Sequence, residues 1–201
     1  MKSLIQEIFP TELYIFDFNE DEIQPVIEIA NKIEQDVKKV SDQYPNELGG
    51  VFDRKTGLYF SDYRDPVRNV EYEKLLLKVA DAFLFNKKKF EIKNYWHAYY
   101  TGVSQHVTHI HQDKMRHNFS PINYSSVLSL SNTGGTRFFS SNYTSEFYEN
   151  TFYSSVGRMI IFPAHQFHEG VSTEGRRCVI SSNLQITDLN NDIGVVIPIN
   201  D

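Results

Sequence analysis

Hydrophobic residues recur at helical spacing in two segments of the first 88 residues. Over residues 21–41, apolar side chains repeat every three to four positions with Lys and Glu between them, which predicts an amphipathic helix. Pro25 falls early in this segment, where a helix tolerates a missing N–H. A second helix is predicted over residues 72–85. The polar stretch 42–68 between them is rich in Gly and Pro and is expected to be mostly loop.

Several segments of the remaining chain alternate between apolar and polar positions, as strands do, and residues 158–162 form a short apolar run. Short strands separated by turns are typical of a sandwich or jelly roll. The pattern therefore predicts one α+β domain over residues 1–201, with helical support and loop in 1–88 and a β core in 89–190. Strands are predicted over residues 90–100, 107–113, 125–130, 136–139, 158–162 and 178–186.

Composition narrows the function classes. The chain has 201 residues, of which 40% are apolar and 23% charged, as expected of a folded globular protein. Its net charge of −6 argues against non-specific binding to nucleic acid. One cysteine, Cys178, excludes an intrachain disulfide and favours a reducing compartment. The N-terminus lacks the features of a signal peptide, and no apolar run is long enough to cross a bilayer. A cytoplasmic protein without membrane or nucleic-acid partners is expected.

The stretch THIHQDKMRH suggests a metal site. In a strand, His109, His111 and Asp113 would share one face. An H-x-D pair with a third ligand makes the two-His-one-carboxylate arrangement that leaves open positions on Fe(II). His109 with His111 is the alternative pair, but a carboxylate is the usual third donor and favours His111 with Asp113. A polar strand edge without metal is the other interpretation.

A second segment, residues 157–181, supplies further candidates. An apolar strand leads to His168, and Arg177 lies nine positions later at the start of another apolar strand. An arginine that enters a buried strand is costly unless it pairs with an anion, and its planar group suits a carboxylate. Arg176 competes with Arg177 for this role, because adjacent strand residues face opposite sides. His165 competes with His168 but has no arginine at the same offset.

Taken in order, these motifs resemble the Fe(II)- and 2-oxoglutarate-dependent oxygenases, particularly their prolyl-hydroxylase-like branch, over residues 94–186. The resemblance is carried by YYTG, HQD, GGTRFF and GRMIIFP, followed by the histidine and the arginine. It implies a double-stranded β-helix, the jelly roll that cupins share. It also implies iron(II) held by His111, Asp113 and His168. The far carboxylate of 2-oxoglutarate would bind Arg177 and a tyrosine hydroxyl, with Tyr100 preferred to Tyr124.

The activity implied by the resemblance is a dioxygenase that uses O2 and 2-oxoglutarate and hydroxylates a peptidyl residue or an amino acid. A non-enzymatic cupin-like module that binds a metal or small ligand is the alternative. A structural or interaction protein with an incidental histidine cluster is a third interpretation, against which Arg177 argues. Segment 42–68 is long for a compact domain and is expected to cover the substrate entrance. The sequence does not predict an oligomeric state.

Overall fold

Two antiparallel sheets and two helices make up the protein. The computed structural model describes residues 2–8, 11–43, 50–53, 58–61, 68–101, 122–140, 149–171 and 174–189. The helices are α1 (Glu20–Gln43) and α2 (Val70–Phe85). The strands are β1 (Lys2–Ile8), β2 (Thr11–Asp17), β3 (Gly50–Asp53), β4 (Leu58–Ser61), β5 (Lys88–Thr101), β6 (Tyr124–Ser129), β7 (Gly135–Phe139), β8 (Glu149–Tyr153), β9 (Arg158–Pro163), β10 (His168–Val171) and β11 (Arg176–Asp188).

The strand order places a large sheet between the helices and a small sheet. The large sheet runs β1-β2-β9-β6-β11-β5-β4-β3 and the small sheet runs β10-β7-β8. Both helices pack on one face of the large sheet, where Val26, Leu76 and Ile180 share a buried cluster. On the other face, Phe138 of the small sheet packs against Phe162 and Val179 of the large one. The predicted α+β double-stranded β-helix is thus confirmed, and its interior lies between the two sheets.

Local capping explains where the helices begin. The backbone N–H of Glu22 donates to Asn19 Oδ1 at 3.0 Å, and the Glu22 carboxylate accepts from the Asn19 N–H at 2.9 Å. This reciprocal pair is a capping box. At α2, the side chain of Asn69 accepts from the Tyr72 N–H. Both helices predicted from apolar spacing are confirmed. Neither is long and apolar enough to cross a membrane, in the part of the chain the structure describes.

The first 88 residues are less helical than the pattern predicts. They also contain β1 to β4, and β3 and β4 lie inside the stretch 42–68 that was predicted mostly as loop. β2 pairs with β9 and β4 pairs with β5, so these strands depend on distant partners rather than local pattern. Residues 13–16 of β2 are buried on both faces of the sheet, which removes the alternation that identifies a strand. The predicted strand 107–113 lies outside the described residues.

A buried polar cluster fastens α2 to the large sheet behind the interior. The Asn69 N–H donates to Tyr95 Oη at 2.8 Å, and Asn69 Nδ2 donates to the Val26 carbonyl at 3.1 Å. The same amide nitrogen lies 3.4 Å from His97 Nε2. His97 is fully buried and stacks on the ring of Tyr99. This cluster fixes the strand β5, which carries Tyr100 on its other face.

Burial of His97 predicts a pH-dependent stability. Desolvation lowers the pKa of His97 to about 4 in the fold, whereas an unfolded histidine titrates near 6.5. Between these values the unfolded chain binds a proton that the folded chain does not. The free energy of unfolding should therefore fall as the pH drops from 6.5 towards 4, by at most about 1.4 kcal/mol per pH unit from this group. Urea unfolding of His97→Phe at several pH values should show a shallower slope in this window; equal slopes would contradict the prediction.

Candidate functional site

Arg177 reaches into the space between the two sheets. It is 1% exposed and lies opposite Tyr100 in the β11–β5 register. Its guanidinium carbon is 4.6 Å from the centroid of the Tyr100 ring, so the cation stacks on the aromatic face. Its Nη2 lies 3.4 Å from Thr136 Oγ1 of the small sheet. The cation therefore touches both walls of the interior.

Two nitrogens of this buried cation have no partner among the described residues. Arg177 Nε and Nη1 are shielded from solvent and make no hydrogen bond within the described residues. The neighbouring carboxylate of Glu169 pairs with the Arg137 guanidinium at 3.3 Å. Both residues alternate along their strands with the inward-facing residues, so they occupy the other face of the small sheet. A buried guanidinium without an anion is costly, and its fork geometry matches a carboxylate. The chemistry of Arg177 therefore fits a guest anion.

Arg176 faces the other way and has its own partners. Its Nε donates to Glu34 Oε2 at 2.8 Å, and its Nη2 donates to Asn31 Oδ1 at 2.7 Å. Burial alone would raise the pKa of the Glu34 carboxyl, but hydrogen bonds from Arg176 and Lys38 outweigh it and hold this pKa below its ordinary value. Arg176 thus ties β11 to α1. Of the two adjacent arginines, Arg177 is the one in the interior.

His168 begins β10 on the interior side. It is 4% exposed, and its ring lies 4.6 Å from the ring of Phe162 and 6.3 Å from that of Phe138, measured between centroids. Its Nδ1 lies 2.9 Å from the Gln166 carbonyl oxygen. A carbonyl only accepts, so Nδ1 donates to it, and when the ring is neutral the lone pair lies on Nε2. A backbone carbonyl on one ring nitrogen is the usual way in which a metal-binding histidine is oriented.

The histidine and the cation lie along one wall. His168 and Gly170 alternate onto the same face of β10, one strand repeat of about 7 Å apart. Gly170 lies directly against Arg177, since a Cβ built on it would fall 2.7 Å from Arg177 Nη1. The wall therefore presents an imidazole at one point and a cation about one repeat further along. An anion bound by Arg177 would therefore lie against the same wall as His168.

The other residues predicted for the site either lie away from Arg177 or fall outside the described part of the chain. Tyr124 packs with Tyr14 on the helix side of the large sheet, with ring centroids 6.1 Å apart, so the structure does not bring it to Arg177. Thr136 was missed, although its alternation with Phe138 in the predicted strand could have indicated an inward position. His109, His111 and Asp113 lie outside the described residues. Within those residues no three His, Cys, Asp or Glu side chains are grouped as a metal site.

Part of the stretch predicted as a cover lies beside this site. The β4 strand pairs with β5, and the backbone of Leu58 is opposite that of Tyr100. The end of β4 thus adjoins the strand that carries the ring beneath Arg177. Its role in covering an entrance stays a prediction.

Comparison with known proteins finds solved structures with a similar fold but no matching sequence family. No protein-family model and no curated protein matches the sequence. The chain is similar to the non-heme alpha-ketoglutarate-dependent epimerase SnoN from nogalamycin biosynthesis, with a TM-score of 0.62, 9% identity and coverage of 88% of this chain and 77% of that one. It is similar to a Trichoplax adhaerens prolyl hydroxylase in complex with a hypoxia-inducible-factor peptide fragment, with a TM-score of 0.56, 13% identity and coverage of 89% and 84%.

A third structure is the collagen prolyl hydroxylase of Paramecium bursaria Chlorella virus-1 in a 2-oxoglutarate complex. It has a TM-score of 0.53, 12% identity and coverage of 86% of this chain and 94% of that one. At such identities the likeness shows the fold alone. The resemblance predicted from the motifs is confirmed at that level: the chain has the jelly-roll fold of 2-oxoglutarate-dependent oxygenases.

Proposed function

We propose that the protein is an Fe(II)- and 2-oxoglutarate-dependent dioxygenase. The observation that carries the proposal is the buried guanidinium of Arg177, with two unpaired nitrogens, in the same inter-sheet space as the oriented imidazole of His168. A structural arginine at this depth would need an anion from the protein, and none of the described carboxylates meets it. The shared fold supports the same conclusion.

Iron(II) would be held by His168 together with His111 and Asp113, the latter two outside the described residues. The fit rests on the His168 tautomer, which directs the lone pair to Nε2, and on a donor set of two imidazoles and one carboxylate. When bound, iron(II) would provide the chemistry by which O2 oxidises a C–H bond. That oxidation is coupled to the conversion of 2-oxoglutarate to succinate and carbon dioxide.

The chain's own residues bind and orient the cosubstrate. Arg177 pairs with the far carboxylate through its guanidinium, which has donors without a partner among the described residues, while Tyr100 holds the plane of the guanidinium by stacking beneath it. Thr136 accepts from the third nitrogen and limits its rotation. The rings of Phe138 and Phe162 beside His168 keep water from this end of the interior, which strengthens the charge interactions inside it.

The substrate class follows from the motif resemblance. We propose hydroxylation of a peptidyl residue, with a free amino acid as the rival, and a cytoplasmic location where the single cysteine stays reduced. The prolyl-hydroxylase-like order of motifs and the peptide complex of the Trichoplax neighbour support the peptide. The epimerase has the same fold, so the fold alone does not select the reaction.

The experiment that tests this function is oxygen-dependent formation of succinate. The full chain is loaded anaerobically with Fe(II) and 2-oxoglutarate, and succinate is measured after oxygen is added. Slow uncoupled turnover is expected without a prime substrate, faster turnover with a suitable peptide, and none with Zn(II) in place of iron. Binding of iron and 2-oxoglutarate without succinate, even with peptides and amino acids present, would favour a non-enzymatic binding module. Failure to bind iron would contradict the proposal outright.

A further inference from the structure

Gly170 occupies an unusual place in the interior wall. It lies on β10 opposite Thr136 of β7, two residues after His168. A Cβ built on it would fall 2.3 Å from Tyr100 Oη, 2.7 Å from Arg177 Nη1 and 3.0 Å from Tyr100 Cζ. Real Cβ atoms essentially never approach that closely. Tyr100 and Arg177 therefore occupy the space that any side chain at position 170 would fill.

Space, rather than backbone conformation, is what this position requires. Gly157 and Gly175 have φ values of +84° and +101°, which favour glycine whatever surrounds them. Gly170 is not among the glycines with positive φ. The atoms that would meet its Cβ are the ends of two side chains from the opposite sheet, which can shift, whereas Gly135 is closed off by the backbone of Phe152. A small side chain at position 170 would consequently displace Tyr100 and Arg177 more readily than it would break the sheet.

Both displaced groups belong to the anion site. Arg177 carries the two unpaired nitrogens, and Tyr100 is the ring on which its guanidinium stacks. They cross the interior from β11 and β5 to lie against the backbone of β10. This close approach holds the cation against the part of β10 that lies two residues along the strand from His168. Moving the pair away from β10 would bring it into the volume where the anion must lie.

We infer that Gly170 is a positioning residue for the dicarboxylate cosubstrate. Its missing side chain allows the Tyr100 hydroxyl and the Arg177 guanidinium to lie against β10, two residues along the strand from His168. The inference rests on the proposed function and deepens it. It assigns recognition of the far carboxylate to a position that contributes no polar atom of its own.

The test is binding of 2-oxoglutarate to the Mn(II)-loaded full chain by calorimetry. Gly170→Ala should raise the Kd for 2-oxoglutarate by about tenfold or more, because the added methyl overpacks the anion site. The affinity for Mn(II) should not change, and 2-oxopentanoate, which lacks the far carboxylate, should bind wild type and variant alike. Val171→Ala, on the other face of the same strand, is the matched control and should bind 2-oxoglutarate as wild type does.

A second substitution separates positioning from simple damage to the fold. In the wild type, Tyr100→Phe should weaken 2-oxoglutarate binding, because it removes a hydroxyl from the anion site. In the Gly170→Ala background the same change removes the atom closest to the new methyl. The double variant should therefore bind more tightly than Gly170→Ala alone, a reversal of sign that indicates direct coupling.

Three outcomes would overturn the inference. One is wild-type affinity for 2-oxoglutarate in Gly170→Ala. Another is equal loss of Mn(II) and 2-oxoglutarate binding with a lower melting temperature and no recovery in the double variant. The third is a wild-type protein that binds Mn(II) but no 2-oxoglutarate, which would contradict the proposed function and the inference together.

Discussion

Replacing Arg177 with Met should abolish recognition of 2-oxoglutarate while leaving the fold intact. Met retains much of the buried volume but removes the charge that has no partner in the described structure. Loss of one partner of a buried charge pair lowers affinity by about two to five kcal/mol, so the Kd for 2-oxoglutarate should rise by about thirtyfold or more. The unliganded variant should unfold at an equal or higher urea concentration, since a buried unpaired cation is removed. Calorimetry on the Mn(II)-loaded chain and urea unfolding measure the two effects.

The adjacent arginine provides the control. Arg176→Met removes one of the two cationic partners of the buried Glu34 carboxylate and should lower stability, yet it should leave 2-oxoglutarate binding unchanged. The two variants are thus expected to have opposite effects. Arg177→Met weakens 2-oxoglutarate binding without lowering stability, and Arg176→Met lowers stability without weakening binding. On the ligand side, 2-oxopentanoate should not distinguish wild type from Arg177→Met. Wild-type affinity for 2-oxoglutarate in Arg177→Met would show that the far carboxylate binds elsewhere.

Replacing His168 with Ala should have the largest effect on activity. His168 is one of three proposed protein ligands, and its removal should reduce metal affinity by more than the roughly hundredfold loss that follows when a residue hydrogen-bonded to a ligand is changed. Iron-dependent succinate formation should accordingly fall below detection at iron concentrations that saturate the wild type. Anaerobic iron binding and the succinate assay check this together. The fold should survive, because the backbone pairing of β10 with β7 does not involve the ring.

His165 is the matched control for this change. It lies three residues earlier in the chain and is exposed, in contrast to the buried His168. His165→Ala should bind iron and form succinate as the wild type does. Undiminished activity in His168→Ala, or a selective loss in His165→Ala, would contradict the ligand assignment.

The regular elements with clear periodicity were predictable from the sequence. α1, α2, β5, β6, β7, β9 and β11 all fall where apolar spacing predicts them, to within a few residues. β2 was not predictable, because residues 13–16 are buried on both faces and show no alternation. β3 and β4 are four residues each and lie at the edge of the large sheet, where pairing of β4 with β5 and of β3 with β4, rather than propensity, makes them strands.

For the site, the sequence indicated which types of residue take part, but not which face of its strand each side chain occupies. Arg177 and Arg176 differ only in the face of β11 they occupy, and the partner that distinguishes them, Glu34, is 142 residues away in the chain. Tyr100 lies opposite Arg177, whereas Tyr124 lies opposite Leu184 of the helix-side cluster. Such pairings depend on strand register, which a single sequence does not reveal. The role of Gly170 could not be predicted from the sequence, because it depends on distances to Tyr100 and Arg177, which lie on two other strands.

Calorimetric titration of 2-oxoglutarate into the full chain, with and without Mn(II), tests the proposed site most directly, because Mn(II) should support binding without turnover of the ligand. Saturable, stoichiometric binding is expected that requires the metal and disappears in both His168→Ala and Arg177→Met. Binding that does not require the metal would contradict a site that holds both ends of 2-oxoglutarate, since His168 would then have no role in it. No binding under either condition would contradict the proposed function itself.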